Sequence, residues 1–195
     1  MYIESIKIKE REYNLKKGKV IEMKPITLLI GEQGCGKSSL LNFLQRNDDD
    51  IVEVIISKDC TDEIDSFYFD TEKMNPRVSQ LDNYSTPSGN SKGIGIANAL
   101  ASHFESHGET LREFTVNRVH EAKNCVVILD EPEAALSIKN QYLLAKRIIE
   151  NKNNVQFIIA THCLPLFEIV GYAYDLEHYK WVTFNDYMKK IKKII

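Results

Sequence analysis

A glycine-rich segment that ends in a lysine and a serine carries the strongest chemical signal in this sequence. Residues 31–38 match the pattern GxxxxGKS and stand between an apolar run and a segment with helical spacing. Glycines let such a loop curl around an anion, so that N–H groups and the helix N-terminus face phosphate. We expect Lys37 to reach the β- and γ-phosphates of a nucleotide and Ser38 to ligate Mg²⁺; the alternative is a turn without a ligand. The predicted binding residues are Gly31, Glu32, Gln33, Gly34, Cys35, Gly36, Lys37, Ser38 and Ser39.

Two adjacent carboxylates, Asp130 and Glu131, follow the apolar run at 126–129. This run predicts a buried strand, and ligands of open α/β sheets bind at the C-terminal ends of strands. We expect Asp130 to hold Mg²⁺ through water, and Glu131 to orient and deprotonate an attacking water molecule. The alternative is a strand end that only prepares a helix N-cap.

A histidine follows a second predicted buried strand. The run at 155–160 is apolar, and Thr161 and His162 come directly after it. Parallel strands end at the same edge of a sheet, so we expect His162 to contact the γ-phosphate near the carboxylate pair. The alternative is a histidine with a purely structural role.

A second anion site is predicted at Ser106, Gly108 and Glu109, directly before the helical pattern that begins at Thr110. The serine, the glycine N–H group and the helix dipole would face a γ-phosphate held by another subunit. Two alternatives remain open. Ser106 and Glu109 could form a capping box that serves the helix alone. Residues 88–90 could supply the anion site instead, although no helix begins directly after them.

Apolar runs alternate with helical patterns, which predicts an α/β fold with a mainly parallel core sheet flanked by helices. An antiparallel pair of strands around the turn at 16–18 is expected to precede this sheet as a β edge. Segment 87–95, rich in Ser and Gly, predicts a flexible loop. Further strands are predicted at 25–30, 51–57, 66–70, 125–129 and 155–160, and helices at 38–44, 96–104, 110–122, 137–150 and 164–170.

Four motifs in this order resemble those of the ATP-binding-cassette (ABC) ATPases, and more closely the small soluble AAA-family ATPases of that class with RecF- and SMC-like heads. The resemblance implies a P-loop NTPase fold in a single domain, 1–195, with a helical insertion at roughly 75–122. It implies ATP and Mg²⁺ as ligands, catalytic roles for Lys37, Glu131 and His162, and a head-to-tail homodimer. The motifs are GEQGCGKSS at 31–39, SHGET at 106–110, LDEPEAALS at 129–137 and FIIATH at 157–162.

Three positions depart from the family pattern. The glutamine expected after the third core strand is missing; Glu72 occupies a comparable place and would be a metal ligand, with Gln80 as the other choice. The aspartate common in the D-loop of transporter subunits is replaced by Ser137. Tyr13 is a candidate for stacking on adenine, and its alternative is a simple strand-end residue.

The composition predicts a cytoplasmic protein without membrane insertion. The chain has 195 residues with a formal charge of −3, so any contact with nucleic acid requires a local patch. The four cysteines have no metal-site spacing, which favours reduced thiols. No stretch approaches the roughly 18 apolar residues of a membrane span. The basic segment 189–195 predicts a solvated helix face, with a nucleic-acid or lipid contact as the alternative.

Three functions are compatible with these motifs. The first is an ATP-driven homodimerising switch that acts on a client protein or nucleic acid, in DNA repair or mobile-element defence. No sustained heptads lie between the phosphate loop and the signature, so no coiled-coil arm is expected. The second is the nucleotide-binding subunit of a membrane transporter. The third is a scaffold that binds ATP without hydrolysing it, which the Asp130 and Glu131 pair disfavours.

Overall fold

The computed structural model describes residues 3–57, 65–70, 125–134 and 136–193. The predicted helical insertion lies outside this part of the chain. The described elements are β1 (Ile3–Ile8), β2 (Val20–Glu22), β3 (Ile26–Ile30), α1 (Lys37–Arg46), β4 (Val52–Ile56), β5 (Asp65–Asp70), β6 (Cys125–Asp130), α2 (Ile138–Asn151), β7 (Val155–Ala160), α3 (Leu164–Val170), β8 (Tyr172–Asp175), β9 (Lys180–Thr183) and α4 (Phe184–Ile191).

Six strands form the main sheet, in the order β5-β6-β7-β3-β8-β9. All neighbouring strands are parallel except β9, which pairs antiparallel with β8. Every residue of β3, β6 and β7 is buried, as expected for central strands that are covered on both faces. The mainly parallel core sheet predicted from the sequence is confirmed.

The first face of the main sheet packs against α1 and a three-stranded antiparallel sheet of order β2-β1-β4. Ile6 from β1, Leu40 from α1 and Ile128 from β6 are buried in this layer. The predicted N-terminal antiparallel pair is present, and β4 adds a third strand on the other side of β1. These strands form a sheet of their own.

The second face packs against α2 and α3. Leu144 from α2 and Phe167 from α3 lie against Leu28 and Phe157 of the sheet. Burial of each such side chain contributes about 1.5–3 kcal/mol. The helices thereby fix the strand ends that carry the polar residues.

Local signals explain where the helices on this face begin and end. Ser137, at the D-loop position, caps α2 by accepting a hydrogen bond from the N–H of Asn140 at 3.4 Å. The thiol of Cys163 caps α3 in the same way, and Gly171 ends it with a positive φ of 83°. Cys35 and Cys163 are free thiols.

The C-terminal part differs from the prediction. The hairpin β8–β9 was not predicted, because its strands are only four residues long and lack a continuous apolar run. The basic segment 189–195 begins in the last turn of α4, which has no buried residue, in agreement with the predicted solvated helix face. No helix in the described ranges combines the length and the apolar character needed to cross a membrane.

Candidate active site

The loop between β3 and α1 requires glycine at two positions. Gly31 has a φ of 146°, and a Cβ there would lie 2.7 Å from the Sγ of Cys35. Gly36, the N-cap of α1, has a φ of 104°, and a Cβ there would lie 2.9 Å from Leu15. L-residues rarely adopt these conformations. The glycines of the pattern therefore allow a tight loop that closes directly onto the helix N-terminus.

The side chain of Lys37 folds back into this loop. Lys37 is 5% exposed, and its Nζ donates hydrogen bonds to the carbonyl oxygens of Gly31 at 3.0 Å and Glu32 at 3.2 Å. The Sγ of Cys35 lies 3.8 Å from the same nitrogen. These partners are neutral, and no described carboxylate forms an ion pair with Lys37. An anion at the loop would therefore supply the missing negative charge.

Neighbouring segments hold the loop in place. Asn14 donates a side-chain hydrogen bond to the carbonyl oxygen of Gly34. No side chain caps α1 at Gly36 within the described residues, so first-turn N–H groups remain available to an acceptor. The loop thus presents backbone donors beside a buried ammonium.

Tyr13, the candidate for adenine stacking, precedes this loop in an exposed turn. It is 71% exposed, and its ring stacks on Phe43 with a centroid distance of 6.5 Å. Its φ of 49° is outside the strand region. The alternative of a strand-end residue is therefore wrong, and adenine stacking stays a prediction.

Ser38 and Asp130 meet between α1 and the end of β6. The Oγ of Ser38 donates a hydrogen bond to the Oδ1 of Asp130 at 3.0 Å, and Asp130 is 6% exposed. Hydroxyl and carboxylate oxygens are hard donors, and Mg²⁺ prefers one or two protein oxygens with water and substrate phosphates. The two side chains therefore fit a Mg²⁺ site at the mouth of the phosphate loop.

Glu131 and His162 lie next to each other just beyond the sheet. Glu131 adopts a positive φ of 48°, and its N–H donates to the carbonyl oxygen of Ala160 at 2.9 Å. The Nε2 of His162 lies 3.8 Å from the Oε1 of Glu131, and both side chains are nearly half exposed. A carboxylate and an imidazole thus share the sheet edge at which the phosphate loop begins.

Glu133 is a site residue that the sequence analysis missed. Its Oε1 accepts hydrogen bonds from the hydroxyl of Thr161 at 2.7 Å and from the N–H of His162 at 2.8 Å. Burial raises the pKa of this carboxyl above its ordinary value, although the two hydrogen bonds act in the opposite direction. No local pattern in the sequence distinguishes this glutamate from an exposed acidic residue.

Several predicted residues fall outside the part of the chain that the structure describes. They belong to the second anion site, to the alternative anion site and to the expected glutamine position. Their roles stay predictions. They are Ser106, Gly108, Glu109, residues 88–90, Glu72 and Gln80.

Comparisons with solved structures place this fold among the ATP-binding cassettes. A nucleotide-free cassette from an ABC transporter has a TM-score of 0.56 at 15% identity, over 99% of this chain and 96% of that chain. A dimeric cassette in a post-hydrolysis state with ADP and Pi bound has a TM-score of 0.51 at 14% identity, over 94% and 98%. The SMC head domain from Thermotoga maritima has a TM-score of 0.50 at 14% identity, over 87% and 92%.

These structural similarities show a shared fold, and they confirm the predicted P-loop NTPase architecture. None of the curated proteins matches the sequence. The family model described as an AAA domain matches residues 21–164, which include the phosphate loop, the carboxylate pair and His162. The chain therefore belongs to the AAA domain family of P-loop ATPases.

Proposed function

We propose that this protein binds Mg-ATP and hydrolyses it, and that it works as an ATP-driven homodimeric switch. The observation that carries the proposal is the convergence of five side chains at one sheet edge. Lys37 lies buried in the loop, Ser38 is bonded to Asp130, and Glu131 lies 3.8 Å from His162. Phosphoryl transfer depends mainly on positioning and charge stabilisation, which such a set supplies.

Binding rests on the loop and the first turn of α1. The backbone N–H groups and the ammonium of Lys37 would hold the β- and γ-phosphates, with the carbonyl partners of Lys37 replaced by phosphate oxygens. Ser38 would ligate Mg²⁺ directly, and Asp130 would hold it through water. When bound, this ion supplies positive charge to the phosphate oxygens.

Hydrolysis would depend on Glu131 and His162. Glu131 would orient a water molecule and accept its proton as the oxygen attacks the γ-phosphorus. His162 would donate a hydrogen bond to a γ-phosphate oxygen. The Nε2–Oε1 distance of 3.8 Å lets both groups face one reacting centre. A scaffold that binds without hydrolysis would have no use for this pair.

The dimer would complete each site from the partner chain. Ser106, Gly108 and Glu109 of one chain would face the γ-phosphate held by the other. A similar cassette is dimeric with ADP and Pi bound, which supports this arrangement at the level of the fold. ATP then stabilises the dimer because its terminal charge is better compensated there, and hydrolysis removes this difference.

The test is the molecular mass of a Glu131→Gln variant with Mg-ATP, with Mg-ADP and without nucleotide. We expect a dimer with Mg-ATP and a monomer in the other two states. A Ser106→Arg substitution in the same background should abolish the dimer while ATP binding persists. A monomer in every state, or a dimer that ignores Ser106→Arg, would refute the composite site.

The biological role depends on the client on which the switch acts. We propose that this client is a cytoplasmic protein or nucleic acid of DNA repair or mobile-element defence. The transporter-subunit role uses the same chemistry, and a similar solved cassette comes from an ABC transporter. Cell fractionation separates the two roles. A transporter subunit sediments with membranes, whereas the switch stays in the supernatant. The client can be captured by pull-down with the Glu131→Gln protein and ATP.

A further inference from the structure

Glu131 and His162 lie on two loops that leave the sheet side by side. β6 and β7 are parallel neighbours, and Asp130 lies opposite Ala160 in their register. One backbone hydrogen bond, from the N–H of Glu131 to Ala160, joins the loops directly. Within the described residues, the N–H of His162 makes no bond to a strand backbone. Another contact is therefore needed to fix the direction of its imidazole.

Glu133 supplies that contact from the loop after β6. One of its oxygens, Oε1, accepts hydrogen bonds from the hydroxyl of Thr161 and from the N–H of His162, at 2.7 and 2.8 Å. These bonds fix the backbone on which the imidazole is carried. They connect the loop after β6 to the loop after β7. Glu133 is only two residues from Glu131, and its partners are His162 itself and the preceding Thr161.

The hydrogen-bond chain continues into α3. The Oγ1 of Thr161 accepts a hydrogen bond from the N–H of Cys163 at 2.9 Å, and the Sγ of Cys163 accepts one from the N–H of Leu166 at 3.4 Å. Leu166 is fully buried in the core. Glu133 is thereby linked, through this loop, to the first turn of α3.

Stability alone does not account for a carboxylate at this position. Glu133 is 9% exposed, and its Oε2 is buried without a hydrogen-bond partner among the described residues. A buried polar atom without a partner destabilises the fold, and an apolar side chain of similar size would avoid this cost. The two hydrogen bonds that Oε1 accepts therefore explain why a glutamate occupies this buried position.

From these contacts we propose that Glu133 is a positioning residue that holds His162 in register with Glu131 during turnover. This inference rests on the proposed function. Glu133 acts through the backbone of His162 and does not touch the substrate. Its removal should lower turnover and leave the affinity for Mg-ATP unchanged. The binding groups Lys37 and Ser38 bond to Gly31 and Asp130, and not to Glu133.

The experiment is a double-mutant cycle that combines Glu133→Ala with His162→Ala, with kcat and the dissociation constant of Mg-ATP measured separately. Displacement of a positioned group by about 1 Å can cost on the order of 10²-fold in rate, so we expect Glu133→Ala to lower kcat by about that factor. The dissociation constant should stay within a few-fold of wild type. In the His162→Ala background, Glu133→Ala should cause no further loss.

Three further variants keep the test decisive. Glu133→Gln retains an acceptor oxygen in the same place and should restore most of the turnover. Thr161→Val removes one of the two donors and should cause a smaller loss, and it serves if Glu133→Ala does not fold. Glu150→Ala, which removes an exposed glutamate on α2, is the matched control and should leave kcat unchanged.

The outcomes separate this inference from the proposed function. Wild type without ATPase activity, or full activity in His162→Ala, would overturn the proposed function itself. If wild type is active and His162→Ala is impaired, full turnover in Glu133→Ala or in Thr161→Val would overturn only the inference. Independent losses that multiply in the double mutant would also overturn it, because they would show that Glu133 does not act through His162.

Discussion

Replacement of Lys37 by alanine should remove most of the stabilisation that ATP gives to the fold. Lys37 is 5% exposed, and among the described residues its ammonium is bonded to neutral groups only. A bound phosphate would therefore supply an anionic partner that these residues do not. A hydrogen bond to a charged group contributes about 1.5–3 kcal/mol. At 1.4 kcal/mol per tenfold, its loss weakens binding by roughly 10- to 150-fold.

This loss can be converted into a shift of the melting temperature. ATP at 100 times its dissociation constant stabilises wild type by about 2.7 kcal/mol, whereas a 100-fold weaker site gains only about 0.4 kcal/mol at the same concentration. For a chain of 195 residues, each kcal/mol of added unfolding free energy raises the melting temperature by about 2–4 °C. We therefore expect a shift of about 5–11 °C for wild type and about 1–2 °C for Lys37→Ala.

The assay is thermal unfolding with and without Mg-ATP at fixed concentrations. Lys152→Ala is the control, since it removes an exposed lysine at the C-cap of α2 and should keep the full shift. Without nucleotide, Lys37→Ala should melt no lower than wild type, because the described residues give the buried ammonium neutral partners only. A wild-type shift in Lys37→Ala would refute the assignment of the phosphate loop.

Three further predictions concern the same site. Gly36→Ala should impair ATP binding and lower stability by about 1–3 kcal/mol, because its Cβ would meet Leu15 at 2.9 Å at a φ of 104°; denaturant unfolding measures this, and an unchanged midpoint would contradict it. Ser38→Ala should weaken ATP binding more in the presence of Mg²⁺ than in its absence. Titration of ATP with Mg²⁺ and with a chelator measures the two affinities. The raised pKa of Glu133 predicts that wild type loses stability relative to Glu133→Gln as the pH rises above the ordinary value of 4.5. The sign follows because the folded state holds this proton to a higher pH than the unfolded state, and a pH-independent difference would contradict it.

The parts of the site that follow local rules were predictable from the sequence. The GxxxxGKS pattern fixes the order of strand, loop and helix, and the apolar runs before Asp130 and His162 identify buried parallel strands. Strands that are parallel and adjacent bring their C-terminal residues to one edge. The meeting of Ser38 with Asp130 follows from this geometry.

Tertiary contacts set the rest, and no local pattern encodes them. Glu133 could not be distinguished from an exposed acidic residue, because its burial and its bonds to Thr161 and His162 depend on how two distant loops pack. The strands β8 and β9 were missed because their pairing with β3 and with each other, rather than their propensity, defines them. The strand-end alternative for Tyr13 is wrong because this residue lies in an exposed turn with positive φ.

Release of inorganic phosphate from ATP, compared between wild type and Glu131→Gln, tests the ATPase proposal most directly. Wild type should release phosphate in a reaction that requires Mg²⁺. Glu131→Gln should be slower by about 10²- to 10⁴-fold, the usual contribution of a general base, with an unchanged dissociation constant for Mg-ATP. Phosphate release at the wild-type rate in Glu131→Gln, or no release by wild type with ATP and Mg²⁺ bound, would contradict hydrolysis at this site.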